Sequence, residues 1–163
     1  EDARVLVGGL GMGFTLAAAL SVLSAAAQVT VAELVPAVVE WNRGPLGQCA
    51  GHPLQDPRSR LYLGDVAGLV SAPEPTFDAI LLDVDNGPEG ISHTDNQWLY
   101  SLDGLAALYN ALNPEGVLAI WSAGFDPLFN IRLKKSGFTV DLRTVKAPKG
   151  RRHTIFIARK PWR

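Results

Sequence analysis

Cysteine is nearly missing from this chain, and positive charge is missing from its middle. Cys49 is the single cysteine in 163 residues, so no disulfide can close within the chain and no cysteine-rich zinc site can be built. Nothing requires an oxidising compartment, and a reducing, cytoplasmic setting is expected. His52, His93 and His153 lack metal-ligand spacing, so no metal is expected. Repeats and low-complexity tracts are absent too. With 47% hydrophobic and 19% charged residues, disorder and collagen are excluded, and residues 1–163 read as one globular domain. No Lys or Arg lies between Arg60 and Arg132: residues 61–131 hold 10 acids and no base, whereas residues 132–163 hold 11 bases and one acid. Asymmetry of this kind concerns partners, because an acid-only lobe attracts cations. A chain that begins without Met is expected to be a fragment or to have been trimmed.

The stretch from Val5 to Val31 contains no charged residue and is long enough to suggest a membrane helix. Gly8, Gly9, Gly11 and Gly13 would interrupt such a helix without purpose. Ser24-Ala25-Ala26-Ala27 resembles a signal-peptide cleavage site, but Glu1-Asp2 has the wrong charge for a signal start. The run divides better into a strand Arg4-Val5-Leu6-Val7, a glycine loop and a helix over 14–27, so no membrane partner is expected.

Further strands are expected at Val29-Thr30-Val31-Ala32-Glu33, Arg60-Leu61-Tyr62-Leu63, Phe77-Asp78-Ala79-Ile80-Leu81-Leu82-Asp83 and Val117-Leu118-Ala119-Ile120-Trp121. Helices are expected over 36–41 (started by Pro36), 101–112 and 127–136, with Gly137 as a C-terminal cap. Residues 42–58 and 84–96 read as loops, and Asn113-Pro114-Glu115-Gly116 as a turn. The runs 139–145 and 154–158 are joined closely enough for an antiparallel hairpin. Five strands alternating with helices before that hairpin predict a mostly parallel α/β sheet flanked by helices, with ligands at the strands' carboxyl ends.

The residues just after each strand therefore carry the chemistry. Gly9-Leu10-Gly11-Met12-Gly13 lets bare main chain approach a ligand and aims a helix N-terminus at it. The dinucleotide pattern fails because Phe14 stands where its last glycine is needed, which disfavours nicotinamide and flavin. Glu33, twenty residues on, can accept hydrogen bonds from both hydroxyls of a ribose, and its bland reading is a solvated acid near a helix start. Gly64-Asp65 holds the matching station after the third strand, otherwise a turn with a helix cap. Asp83, closing an apolar strand and expected to be partly shielded from water, suits a proton acceptor, otherwise a turn cap beside Asp85, Asn86 and Gly87. Asp85, Glu89 and Asp95 follow without a base.

Together, Val5-Leu6-Val7-Gly8-Gly9-Leu10-Gly11-Met12-Gly13, Val29-Thr30-Val31-Ala32-Glu33-Leu34, Leu63-Gly64-Asp65, the strand ending in Asp83, Leu99-Tyr100-Ser101 and Leu112-Asn113-Pro114-Glu115-Gly116-Val117-Leu118 resemble the class I S-adenosylmethionine-dependent transferases. Within them the chain is similar to the spermidine synthase-like (polyamine aminopropyltransferase) group. The resemblance implies a Rossmann-like class I methyltransferase fold: a mostly parallel seven-stranded sheet with a C-terminal antiparallel hairpin and helices on both faces. It also implies a donor, S-adenosylmethionine or its decarboxylated form, with Gly9, Gly11 and Gly13 at its amino-acid end, Glu33 on the ribose, and Gly64 and Asp65 at the adenine. Asp83 would deprotonate a small cationic amine, with Asp85, Asn86 and Tyr100 on the substrate side. A homodimer is a further expectation.

The family's β-rich N-terminal portion has no counterpart here, its loop acid is missing between Leu10 and Gly13, Asn86 stands in place of a second Asp, and Trp121 in place of a Gln. These departures keep two alternatives open: a methyltransferase acting on a small molecule or RNA, and a non-catalytic nucleoside-binding module. Lys149-Gly150-Arg151-Arg152 could contact RNA phosphate, although a solvated hairpin turn is the favoured reading.

Overall fold

The computed structural model describes residues 2–71, 77–84, 94–146 and 152–162. Asp85, Asn86, Glu89, His93 and the run 149–151 lie outside the described residues, as does the side chain of Asp95.

The uncharged opening resolves into β1 (Arg4–Gly8), a glycine loop, α1 (Phe14–Val22) and β2 (Gln28–Glu33). Among the described residues no helix is long and apolar enough to cross a membrane. The chain continues through α2 (Pro36–Arg43), α3 (Pro45–Cys49), β3 (Ser59–Leu63), α4 (Val66–Val70), β4 (Phe77–Leu82), α5 (Leu102–Ala111), β5 (Leu112–Ser122), α6 (Pro127–Lys135), β6 (Thr139–Lys146) and β7 (Arg152–Arg159). The seven strands form one sheet in the order β3-β2-β1-β4-β5-β7-β6. Pairing is parallel from β3 to β5 and antiparallel through β7 and β6. This is the expected mostly parallel α/β sheet with a C-terminal hairpin, and the strand order reverses between β1 and β4, where open sheets of this type bind ligands.

Strand alternation builds two cores. Val5, Val7, Val29 and Val31 point to the face covered by Leu16 and Leu20 of α1 and Val39 of α2. Leu6, Ile80, Leu82, Leu118, Ile120 and Phe156 point to the opposite face, covered by residues of α4, α5 and α6 such as Val66, Leu105, Leu108, Phe129 and Leu133. Burying each such side chain contributes roughly 1.5–3 kcal/mol, which outweighs the modest helix propensity of these short segments.

Several local readings are corrected. Helix α1 ends at Val22 instead of running to residue 27. Arg58 donates to the carbonyls of Leu23 (2.9 Å) and Ser24 (3.2 Å), so those carbonyls turn to a side chain instead of to a further helical turn. Residues 42–58 are not one loop: they hold α3 and a 3-10 turn at Pro53–Gln55, each opened by a proline that presets its first turn. Residues 113–116 are not a free turn either. Leu112 pairs with Phe77, the register shifts, and Val117 resumes opposite Ala79, so the segment is an irregularity within β5. Helix α4 follows the helix cap that is the bland reading of Gly64-Asp65: Asp65 caps it by accepting from the Ala67 N–H at 2.8 Å.

Arg58 also donates to both oxygens of Asp56, at 3.0 and 2.8 Å. Its hydrogen bonds hold the Asp56 carboxyl down at about 2, from an ordinary 3.8. A carboxylate whose pKa is lower in the folded state contributes stability above its unfolded value and loses it as pH falls through the folded one. Asp56→Asn should therefore lower the urea midpoint at neutral pH, and the gap to wild type should close between pH 3.8 and about 2. A gap that persists undiminished at the acid end would contradict this coupling.

Candidate functional site

Strands β1, β2, β3 and β4 end side by side, and the main chain stitches their exits together. The Gly9 N–H donates to the Ala32 carbonyl, the Asp83 N–H to Gly8 and the Gly64 N–H to Glu33, each at 2.9 Å. These bonds extend the parallel ladders one step past the strands and bring the predicted residues together. Gly9, Gly11, Glu33, Gly64, Asp65 and Asp83 line one cleft of about 260 Å³, walled on its apolar side by Ala32, Leu34, Val35, Val66 and Val84.

Glu33 is buried at 8% exposure. Its Oε2 accepts from the Leu10 N–H at 3.1 Å and its Oε1 from the Val35 N–H at 2.8 Å. The carboxylate thus ties the glycine loop to the β2 exit, and it is no solvated surface acid. A carboxylate offers about four lone-pair positions, so two remain for a diol in the cleft.

The loop glycines have different reasons for being glycine. At Gly9, with φ +89°, a Cβ would stand 2.6 Å from the Asp83 carbonyl oxygen. At Gly11, with φ +50°, a Cβ would meet nothing within 4 Å, so the loop faces open cleft there and its main chain is free to be approached. Gly13 makes room for Asn42 and Pro53 behind the loop, each 3.0 Å from the place of its missing Cβ.

Asp83 is exposed, which corrects the expectation of a carboxylate partly shielded from water. Its Oδ2 accepts from the Thr15 hydroxyl at 2.8 Å, leaving Oδ1 with no described partner and the group oriented from the first turn of α1. Asp65 is exposed as well; its Oδ1 caps α4, which realises the structural reading, while the residue still lines the cleft. Tyr100 is buried at 7% exposure, edge-on to Phe129, and its hydroxyl donates to the Val84 carbonyl at 3.2 Å. It therefore acts on the site through the backbone that follows Asp83.

Two residues escaped the sequence reading. Asn42, almost fully buried, donates to the carbonyls of Gly11 (2.8 Å) and Val38 (2.9 Å), clamping the glycine loop from α2. The signal was a lone amide at the inward helical spacing of Val38 and Val39. Thr15 left none, since its partner lies 68 residues away.

The model of the spermine/spermidine synthase domain matches residues 2–129. A spermidine synthase solved with the transition-state analogue AdoDATO superposes with a TM-score of 0.76 at 23% identity, over 99% of this chain and 54% of that one. The spermidine synthase of Thermotoga maritima gives 0.77 at 23% identity, over 99% and 55%. The 1,6-didemethyltoxoflavin-N1-methyltransferase of Burkholderia thailandensis, solved with S-adenosylhomocysteine, gives 0.67 at 28% identity, over 99% and 72%. The chain thus spans about half the length of the spermidine synthases it resembles. A comparison with curated sequences finds no match.

Because Gly9 is blocked by main chain and Gly11 is not, their alanine variants should separate. Gly9→Ala is expected to destabilise by roughly 2–4 kcal/mol, through strain and collision together. Gly11→Ala should cost about 1–2 kcal/mol, through backbone conformation alone. Urea unfolding of both variants measures this, and equal losses would contradict the loop geometry.

Proposed function

The chain belongs to the spermine/spermidine synthase domain family, and from that premise we propose that it is a transferase using an adenosyl sulfonium donor, most like an aminopropyltransferase acting on a small cationic amine. The observation that carries this reading is the single cleft lined by Gly9, Gly11, Glu33, Gly64, Asp65 and Asp83. Its residues fit the donor: bare main chain at Gly11 for close approach, the free lone pairs of Glu33 for ribose hydroxyls, and Gly64-Asp65 beside apolar Val35 and Val66 for an adenine. When bound, decarboxylated S-adenosylmethionine supplies a carbon activated by sulfonium.

The chain's own residues do the rest. An ammonium has no lone pair to attack with, so a proton acceptor must stand near it. Asp83 fills that role: the Thr15 hydroxyl holds one of its oxygens, and the exposed residue lines the cleft. A carboxylate at that position can both accept the proton and stabilise cationic groups beside it. Asp85 and Asn86 are proposed to meet the amine on the substrate side, and Tyr100 holds the Val84 carbonyl that follows Asp83. The uninterrupted acidity of residues 61–131 raises the local concentration of a cationic substrate.

Methyl transfer from S-adenosylmethionine is the second reading, favoured by the likeness to the 1,6-didemethyltoxoflavin-N1-methyltransferase over 99% of this chain and 72% of that one and by Asn86. Labelled donors decide between them. Transfer from the decarboxylated donor to putrescine is expected, and Asp83→Asn should lower kcat roughly 10²–10⁴-fold while leaving methylthioadenosine affinity within a few-fold. Absence of aminopropyl transfer alongside methylation of an acceptor would replace the first reading with the second. Nucleoside binding without turnover on any amine would make the chain a binding module.

A further inference from the structure

Strand β6 ends the sheet, and among the described residues no strand lies beyond it. It pairs with β7 at eight consecutive positions, from Thr139 opposite Arg159 to Lys146 opposite Arg152, without a shift of register. Seven of its eight residues are exposed, Val140 being half-buried. Edges of this length are ordinarily blunted by a bulge, a proline or a covering element. Among the described residues none of these protects β6, so there its outer row of main-chain donors and acceptors is open to another strand.

Charge is the remaining way to blunt an edge, and here its arrangement invites pairing. When two identical strands meet antiparallel about a two-fold axis, residues equally far from the axis on either side face each other. With the axis at Leu142, Asp141 faces the partner's Arg143 and Arg143 faces the partner's Asp141. Val140 then faces the partner's Thr144, and Thr139 the partner's Val145. Moving the axis one residue sets Asp141 against the partner's Asp141 or Arg143 against the partner's Arg143. Like charges directly opposite are unfavourable and opposite charges favourable. Among registers that keep the α4–α6 faces of both sheets on one side, the one at Leu142 alone gives charge matches without a clash.

We infer that β6 is the pairing edge for a second copy of this chain, joined antiparallel about Leu142 into one sheet continuous across the two-fold axis. An edge of eight residues buries little area, so the association is weak, with Kd on the order of micromolar to tens of micromolar. The surplus positive charge of residues 132–163 opposes it at low ionic strength, and moderate salt should strengthen it by screening.

The test is sedimentation equilibrium of the wild-type chain and of two variants with exposed changes, D141R and R143D. Each variant alone sets like charges opposite and should weaken self-association roughly tenfold or more. Mixed in equal amounts, the two restore both opposite pairs, and a heterodimer of near wild-type affinity should form. A wild type that stays monomeric up to about 1 mM would overturn the inference. So would variants that associate like wild type, or a mixture that fails to recover, since a loss without recovery places the interface or its register elsewhere.

Discussion

The grip of one buried carboxylate on two separate stretches of backbone organises this site. Glu33 takes the Leu10 N–H with one oxygen and the Val35 N–H with the other. It thereby fixes the glycine loop over the end of β2 before any ligand arrives. Hydrogen bonds to a charged acceptor contribute roughly 1.5–3 kcal/mol each, large against the marginal stability of a domain this size. The loop's other ties are the Gly9 N–H on the Ala32 carbonyl, the Gly13 N–H on the Leu10 carbonyl, and Asn42, which holds Gly11 from behind. A loop so held presents Gly11 to the cleft with little ordering left to do on binding, which is how preorganisation turns into affinity.

Around that grip, the parallel register does the rest of the positioning. Because β1, β2, β3 and β4 end level, a single step of further pairing aligns Gly9, Glu33, Gly64 and Asp83. The two apolar cores on either face of the sheet keep these exits rigid, while Asp65 and Asp83 stay exposed at its rim. Rigid binding residues and accessible acids suit a reaction in which a cation must be held and a proton removed.

The fold was legible where local periodicity decides structure. Strands β1, β2, β4 and the terminal hairpin read directly from their β-branched runs, and the glycine loop from its composition. What the sequence hid was set by distant partners. Helix α1 stops where Arg58, 35 residues on, takes the Leu23 carbonyl, and the turn read at residues 113–116 is drawn into β5 by pairing with Phe77. The five-residue helices α3 and α4 are too short to show a period. Among site residues, Gly9, Gly11, Glu33, Gly64, Asp65 and Asp83 stood out because strand ends are where ligands bind. Asn42 and Thr15 act only through tertiary contacts. The exposure of Asp83 also had no sequence signal, since the apolar strand before it suggested the opposite.

The ribose is where the central claim is most directly tested. Calorimetric titration of the wild-type chain and of Glu33→Gln should compare 5′-methylthioadenosine with its 2′,3′-dideoxy analogue. If Glu33 holds the diol, removing both hydroxyls should weaken binding to wild type about tenfold or more, and should matter far less once the carboxylate is gone. Equal affinity of the wild-type chain for the two nucleosides would contradict that role for Glu33.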